Sequence, residues 1–67
     1  MANQGDRFMS AKFEIYKDKA GEFRFRLKAA NGEIIASSEG YSSKQACENG
    51  IDSVKSNAGT AEIVDQT

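Results

Sequence analysis

The chemistry open to this chain is limited by the residue types that it contains. Its 67 residues include no histidine and a single cysteine, Cys47. Zinc sites built from cysteine and histidine therefore lack a ligand set, and neither a serine–histidine nor a cysteine–histidine pair can form. The carboxylates are scattered, and no two share an apolar context that would suit acid–base catalysis. The sequence thus predicts a protein with no catalytic centre, no metal and no cofactor.

Cys47 is the candidate nucleophile. A reactive thiol needs a lowered pKa and access to solvent. Cys47 instead lies beside Ala46 and within reach of Ile51, in a segment with helical periodicity. A small buried apolar residue is the favoured interpretation, and a reactive thiol is the alternative.

A basic stripe occupies alternate positions of one predicted strand: Arg24, Arg26 and Lys28. With Tyr16 on a neighbouring strand, the stripe resembles a sheet face that binds RNA or single-stranded nucleic acid by stacking and phosphate contacts. The favoured alternative is a solvated face whose arginines pair with Glu14 and Glu33 on the flanking strands. The net charge of −1 also argues against a nucleic-acid binder, so we expect such binding to be weak or absent.

Two further positions are candidate ligand contacts. Tyr41 precedes Ser42 and Ser43 at the start of a predicted helix, where backbone amides can bind an anion, although capping explains the serines without a ligand. Asn49-Gly50 lies inside that helix, where glycine costs about 1 kcal/mol relative to alanine. Close approach of backbone to backbone is the favoured explanation, with Gly50 letting the helix lie close to the sheet or to a partner helix and Asn49 bonded to a nearby turn. The alternative makes Asn49 a ligand contact at a dimer seam.

The elements that position these residues follow from hydrophobic periodicity. Apolar and polar residues alternate in three predicted strands: 12–17, 22–28 and 33–37. The side chains predicted to face the core are Phe13, Ile15, Phe23, Phe25, Leu27, Ile34 and Ala36. Asn31-Gly32 is a strong signal for a two-residue hairpin, because both residues tolerate positive φ. After the third strand, apolar residues recur at spacings of three and four residues, which predicts a helix from Ser43 to about Asn57.

A fourth strand is predicted over residues 60–65, where Ala61 and Ile63 alternate with Glu62 and Val64. The expected organisation is a flexible leader at 1–11, one α+β domain of order β-β-β-α-β at 12–65, and a tail at 66–67. No apolar run is long enough to cross a membrane, and no export signal opens the chain, so the cytoplasm is the expected compartment.

Geometry predicts that the domain is a homodimer. Four strands about 4.8 Å apart form a sheet wider than one helix of about 10 Å diameter can cover. Two copies that build one continuous sheet, with two helices on the same face, would cover both apolar faces. The residues expected in this interface are Ile51, Val54, Ile63 and Val64.

Four linked motifs resemble the YegP-like family of small bacterial proteins: FEIYKD at 13–18, GEFRFRLKAANG at 21–32, SEGY at 38–41 and NGIDSVKSNA at 49–58. The resemblance implies either two tandem β-β-β-α-β repeats or, for a single repeat, two subunits with exchanged C-terminal strands. It implies no activity. We therefore expect a non-catalytic homodimeric module that binds a protein or peptide, and the alternative is a weak RNA or single-stranded nucleic-acid binder. The candidate contacts are Tyr16, Arg24, Arg26, Tyr41 and Asn49.

Overall fold

A computed structural model describes residues 10–67 of the chain. The elements in order are β1 (Lys12–Lys17), β2 (Phe23–Lys28), β3 (Ile34–Ser37) and the helix α1 (Lys44–Asn57). The strands form one antiparallel sheet in the order β1-β2-β3. The α+β class and the β-β-β-α order are thus confirmed.

Both hairpins turn in the same way. The N–H of Gly21 donates to the carbonyl of Asp18 at 3.0 Å, and the N–H of Gly32 donates to that of Ala29 at 2.9 Å. These glycines have φ of 83° and 89°, and no other described residue has a positive φ. The hairpin at Asn31-Gly32 is confirmed, but the predicted two-residue turn is wrong. Each loop instead combines a β-turn with one glycine in the left-handed region, which is the common three-residue hairpin.

The register places one apolar side of the sheet against α1. Phe13 lies opposite Leu27, and Ile15 lies opposite Phe25. Between β2 and β3 the register shifts by one residue, so that Ile34 lies opposite Lys28. The prediction that Ile34 faces the core is therefore wrong, because the extra residue in β3 moves Ile34 onto the side of Lys28. Ala36 lies opposite Leu27 and therefore on the side of the sheet that was predicted to face the core, although it too is exposed in the single chain.

The core forms where α1 packs on the central strand. Phe25, Cys47 and Ile51 are buried there, with partly buried hydrophobic residues packed around them. The rings of Phe13 and Phe25 meet edge to face with their centroids 5.8 Å apart. The prediction that Cys47 is a buried apolar residue is confirmed.

The helix begins where the serine cap was predicted. The side chain of Ser43 accepts a hydrogen bond from the N–H of Ala46 at 3.1 Å, which satisfies one of the free amides of the first turn. Lys55 lies in the last turn, where a cation complements the helix dipole. No helix among residues 10–67 is long and apolar enough to cross a membrane.

The predicted fourth strand is not formed within a single chain. Residues 61–67 have no regular structure and lie exposed to solvent. A strand needs a neighbour for its backbone N–H and C=O groups, and the described part of the chain pairs no strand with this segment. Of the predicted leader, residues 1–9 lie outside the described part of the chain, and Ser10 and Ala11 are exposed.

Candidate functional site

The outer face of the sheet, on the side away from α1, collects most of the charged candidates. Its members are Lys12, Glu14, Tyr16, Arg24, Arg26 and Lys28. The antiparallel register sets Tyr16 opposite Arg24, and Lys12 opposite Lys28. The strand periodicity therefore brings the basic stripe and Tyr16 onto one surface, as predicted.

Arg26 lies between a carboxylate and an aromatic ring. Its Nε donates to Oε1 of Glu14 at 2.9 Å, and its guanidinium carbon lies 4.6 Å from the ring centroid of Tyr16. Lys28 Nζ lies 3.5 Å from the same Glu14 oxygen. The hydrogen bond from Arg26 is the main reason that the pKa of Glu14 is lowered, so this carboxylate stays ionised. Arg26 therefore already contacts a carboxylate and an aromatic ring of its own chain.

Arg24 joins the first hairpin to the segment that leads into α1. Its Nε donates to Oδ2 of Asp18 at 2.6 Å, and its Nη1 donates to the carbonyl of Ser38 at 3.2 Å. The other oxygen of Asp18 accepts from the N–H groups of Ala20 and Glu22, each at 2.9 Å. The hydrogen bond from Arg24 lowers the pKa of Asp18, with a further contribution from the Glu22 amide. Sequence reasoning missed both roles of Asp18. An aspartate that opens an Asp-x-x-Gly turn signals the bonds to the turn amides but not the bond from Arg24.

The three cations of the basic stripe thus all have partners. Glu14 forms ion pairs with both Arg26 and Lys28, and Asp18 forms one with Arg24. The expected pairing with Glu14 is confirmed, whereas Glu33 makes no ion pair among the described residues. A phosphate group would have to compete with these carboxylates for the arginines.

Tyr41 lies on the core side of the sheet. Its backbone bonds to that of Phe23 in both directions, at 2.7 and 2.8 Å, and its ring is stacked on Phe25 with centroids 6.3 Å apart. The phenol hydroxyl sits against Gly50, and a Cβ built on Gly50 would be only 2.9 Å from the Tyr41 ring carbon Cζ. A close approach is present at Gly50, but the prediction that backbone approaches backbone is wrong, because side-chain rings, first of all that of Tyr41, occupy the space beside Gly50.

Asn49 does not reach a turn. Its side chain is exposed and accepts a hydrogen bond from Gln45 Nε2 at 3.1 Å, one helical turn earlier. The expected bond to a turn is therefore wrong, because Asn49 lies on the solvent side of α1. The five candidate contacts split into two groups. Tyr16, Arg24 and Arg26 lie on the outer face, while Tyr41 and Asn49 lie on the helix side, so no single ligand can contact them all.

The chemistry of the described residues is correspondingly sparse. Burial raises the pKa of the Cys47 thiol, which keeps the sulfur protonated and weakly nucleophilic. No cluster of acidic residues or cysteine in residues 10–67 could hold a metal ion. A shallow depression beside the second hairpin is lined by Ser10, Lys12, Lys28 and residues 29–32.

The four predicted interface residues also differ in how far they are exposed in the single chain. Ile51 is buried in the core of its own chain and Val54 is partly buried against it. Ile63 and Val64 are 98% and 68% exposed. The last two therefore remain free to contact another molecule.

Comparison with known proteins places the chain in a family. A profile described as a domain of unknown function, DUF1508, matches residues 18–65. The chain belongs to this family. A UPF0339 protein of Agrobacterium fabrum is 62% identical to this DUF1508 chain over 56 residues, which cover 84% of this chain and 90% of the relative. A UPF0339 protein of Treponema denticola is 60% identical over 57 residues, which cover 85% of this chain and 98% of the relative.

A longer relative and two solved structures complete the comparison. The UPF0339 protein from the 5′ region of the ptx operon of Stutzerimonas stutzeri is 68% identical over 50 residues, which are 75% of this chain but 45% of the relative. This DUF1508 chain thus spans about half the length of that relative. The NMR structure of a Haloferax volcanii protein has a TM-score of 0.78 at 46% identity and covers 84% of this chain and 95% of its own. The NMR structure of an Agrobacterium tumefaciens protein has a TM-score of 0.71 at 56% identity and covers 82% of this chain and 89% of its own. The YegP-like resemblance is confirmed, and the family extends to archaea.

Proposed function

We propose that this DUF1508 protein is a homodimeric, non-catalytic interaction module whose partner is a protein or peptide. In the proposed dimer two copies form one continuous sheet with two helices on the same face, and the C-terminal strands are exchanged. The buried Cys47 and the arginine-bound carboxylates of Glu14 and Asp18 support a role without catalysis, because none of them is suited to transfer a proton or attack a substrate near neutral pH. We place the protein in the cytoplasm, in keeping with its free buried thiol.

Exposed large hydrophobic side chains carry the proposal of a dimer. On β3, Ile34 is 52% and Ile35 is 57% exposed, and the C-terminal segment exposes Ile63 and Val64 more fully. Burial of one such side chain contributes about 1.5–3 kcal/mol. A second copy that covers these residues would provide the apolar area that a chain of this size needs for stability.

The single helix supports the same proposal. α1 buries Phe25 of the central strand, while Phe13, Ile15 and Phe23 stay only partly buried. One helix of about 10 Å diameter leaves the margins of the sheet uncovered. The length of the Stutzerimonas stutzeri relative is in keeping with two such units in one chain, since this chain matches 45% of it.

The charge pairs favour a protein or peptide over a nucleic acid. We expect no binding of a single-stranded oligonucleotide at low salt, because each cation of the basic stripe already forms an ion pair with Glu14 or Asp18, for which a phosphate would have to compete. Fluorescence anisotropy with a labelled 12-nucleotide RNA tests this. Binding that falls steeply with added salt and weakens in Arg24→Gln and Arg26→Gln variants would establish the nucleic-acid alternative instead.

Deletion of residues 60–67 tests the proposed dimer. We expect the truncated chain to lose dimerisation and to unfold, because the exchanged strand completes the sheet of the second copy. Size-exclusion chromatography with light scattering and circular dichroism measure both effects. Deletion of Gln66 and Thr67 alone is the control and should leave the dimer intact. A truncated chain that remains a folded dimer would rule out strand exchange.

A further inference from the structure

We propose that the depression beside the second hairpin binds a carboxylate group of a peptide partner, at the C-terminus of the peptide or on an acidic side chain. This inference rests on the proposed function and specifies the chemistry that the partner presents. The depression has a volume of about 260 Å³, and its lining residues are Ser10, Lys12, Lys28 and residues 29–32. Lys12 and Lys28 belong to the outer face of the sheet, which the proposed dimer leaves uncovered by helices.

Two like charges meet at this depression. Lys12 on β1 lies directly opposite Lys28 on β2, a placement that sets the Cβ atoms of the two residues about 5 Å apart. Like charges in such a cross-strand pair are destabilising. Lys12 is also exposed and makes no ion pair among residues 10–67. An anion held between the two ammonium groups would convert this repulsion into two favourable contacts.

The carboxylate nearest to the two lysines is already shared. Lys28 Nζ lies 3.5 Å from Oε1 of Glu14, which is longer than the roughly 2.7–2.9 Å of a charge-assisted hydrogen bond. The same oxygen accepts the 2.9 Å hydrogen bond from Arg26 Nε. Neither Glu14 nor Glu33 lines the depression. Cations therefore outnumber carboxylates in this described part of the outer face, so it attracts an oxyanion.

The second hairpin adds backbone donors beside the lysines. The N–H groups of Ala30 and Asn31 donate no hydrogen bond within residues 10–67. The next two N–H groups are bonded inside the turn, that of Gly32 to the carbonyl of Ala29 and that of Glu33 to Oδ1 of Asn31. Successive amides in a turn commonly bind anions. The lining thus combines two cations, two available amides and the methyl groups of two alanines.

Size and charge favour a peptide carboxylate over a phosphorylated metabolite. Sites that enclose a whole small molecule have volumes of about 300–1,000 Å³, so this depression suits the end group of a larger partner. Phosphate is bound most specifically by arginine, and both arginines of the outer face already donate to carboxylates, Arg24 to Asp18 and Arg26 to Glu14. A carboxylate carries one charge, which is easier to hold near Glu14 than the two charges of a phosphate. Capture of a peptide carboxylate by backbone amides is an established mode of recognition.

Amide NMR spectra of the ¹⁵N-labelled full-length chain test the site. The probes are acetyl-Ala-Ala-Ala with a free C-terminal carboxylate, the same peptide with a C-terminal amide, and acetyl-Ala-Asp-Ala-amide, all titrated at constant ionic strength. We expect saturable shifts of the amide signals of Lys12 and residues 29–32 with at least one carboxylate peptide and none with the uncharged peptide. The dissociation constant should be on the order of 1 mM, since each probe contributes little beyond its carboxylate. The carboxylate peptide that binds identifies the source of the group.

Three results would overturn the assignment. They are the absence of saturable shifts with both carboxylate peptides, equal shifts with the uncharged peptide, and saturation by inorganic phosphate at a lower concentration than by either carboxylate peptide.

A pair of variants supplies the matched control. We expect Lys12→Gln to weaken binding of the carboxylate peptide at least about fivefold, because it removes a charged donor. Lys19→Gln removes the same charge from the first hairpin, at the other end of the sheet, and should change the affinity less than about twofold. Unchanged affinity in Lys12→Gln would contradict the proposal. Light scattering on the same samples separates this result from the proposed function: a dimer without carboxylate-dependent shifts overturns the site alone, and a monomer that shows them overturns the dimer alone.

Discussion

At the scale of single residues, two contacts explain choices that look unfavourable in the sequence. Glycine in the middle of α1 has a low helix propensity, but the ring of Tyr41 occupies the space that a side chain at Gly50 would need. Arg24 on the outer face of the sheet has no role in the core, but with Asp18 and Ser38 it ties the first hairpin to the connection before α1. These contacts explain the presence of Gly50 and Arg24 by structure alone, without a bound ligand.

Replacement of Gly50 by alanine should destabilise the fold. In an open helix this change stabilises by about 1 kcal/mol, whereas overpacking against Tyr41 should reverse the sign and cost about 1–3 kcal/mol. Urea denaturation followed by circular dichroism measures the free energy of unfolding. Gly59→Ala is the matched control, because no described atom lies within 4 Å of the position that its Cβ would take, and its φ is not positive. A Gly50→Ala chain that is more stable than the parent would show that Tyr41 does not press on α1.

The Asp18 carboxylate should make stability depend on pH. Its pKa is lowered in the folded state, so its contribution is present above the pKa of the unfolded chain, near 3.8, and is lost as the pH falls through the lower folded value. Asp18→Asn should therefore lower the urea midpoint at about pH 7 and have a smaller effect at about pH 2.5. Asp52→Asn, on the exposed side of α1, is the control and should have little effect at either pH. An equal loss at both pH values would show that the charge of Asp18 does not contribute.

At the scale of elements, caps and turns set the boundaries of strands and helix. Ser43→Ala should destabilise the protein by about 1 kcal/mol, because it removes the acceptor for the Ala46 amide. Ser42→Ala, which removes an exposed hydroxyl just outside the cap, should be close to neutral. Thermal and urea denaturation measure both variants. Equal losses of stability in the two variants would show that the Ser43 hydroxyl does not cap the helix.

The elements also show how far periodicity predicts this structure. β1 occupies the predicted residues, β2 and β3 each begin one residue later than predicted, and α1 follows its predicted cap. The exposure of Ile34 was not predictable, because alternation carries no information about a bulge that shifts the register. The salt bridge between Asp18 and Arg24 was equally hidden, since it depends on how the first hairpin closes. Periodicity alone cannot predict whether residues 60–65 form a strand, because a strand forms only where a neighbouring strand can pair with its backbone.

At the scale of the whole molecule, the main feature is an apolar surface that one chain leaves uncovered. A small core centred on Phe25, Cys47 and Ile51 contrasts with four large hydrophobic side chains that, among residues 10–67, remain more than half exposed. Chains of this size without disulfides or metals commonly gain stability by association. Folding and dimerisation should therefore be coupled, so that the urea midpoint rises with protein concentration.

Sedimentation velocity of the intact chain over a range of concentrations tests the central claim most directly. We predict a species of twice the chain mass of 7.3 kDa, which dissociates only on dilution and loses its circular dichroism signal as it does so. A stable, fully folded species of 7.3 kDa at high concentration would contradict the dimer and the function proposed for it.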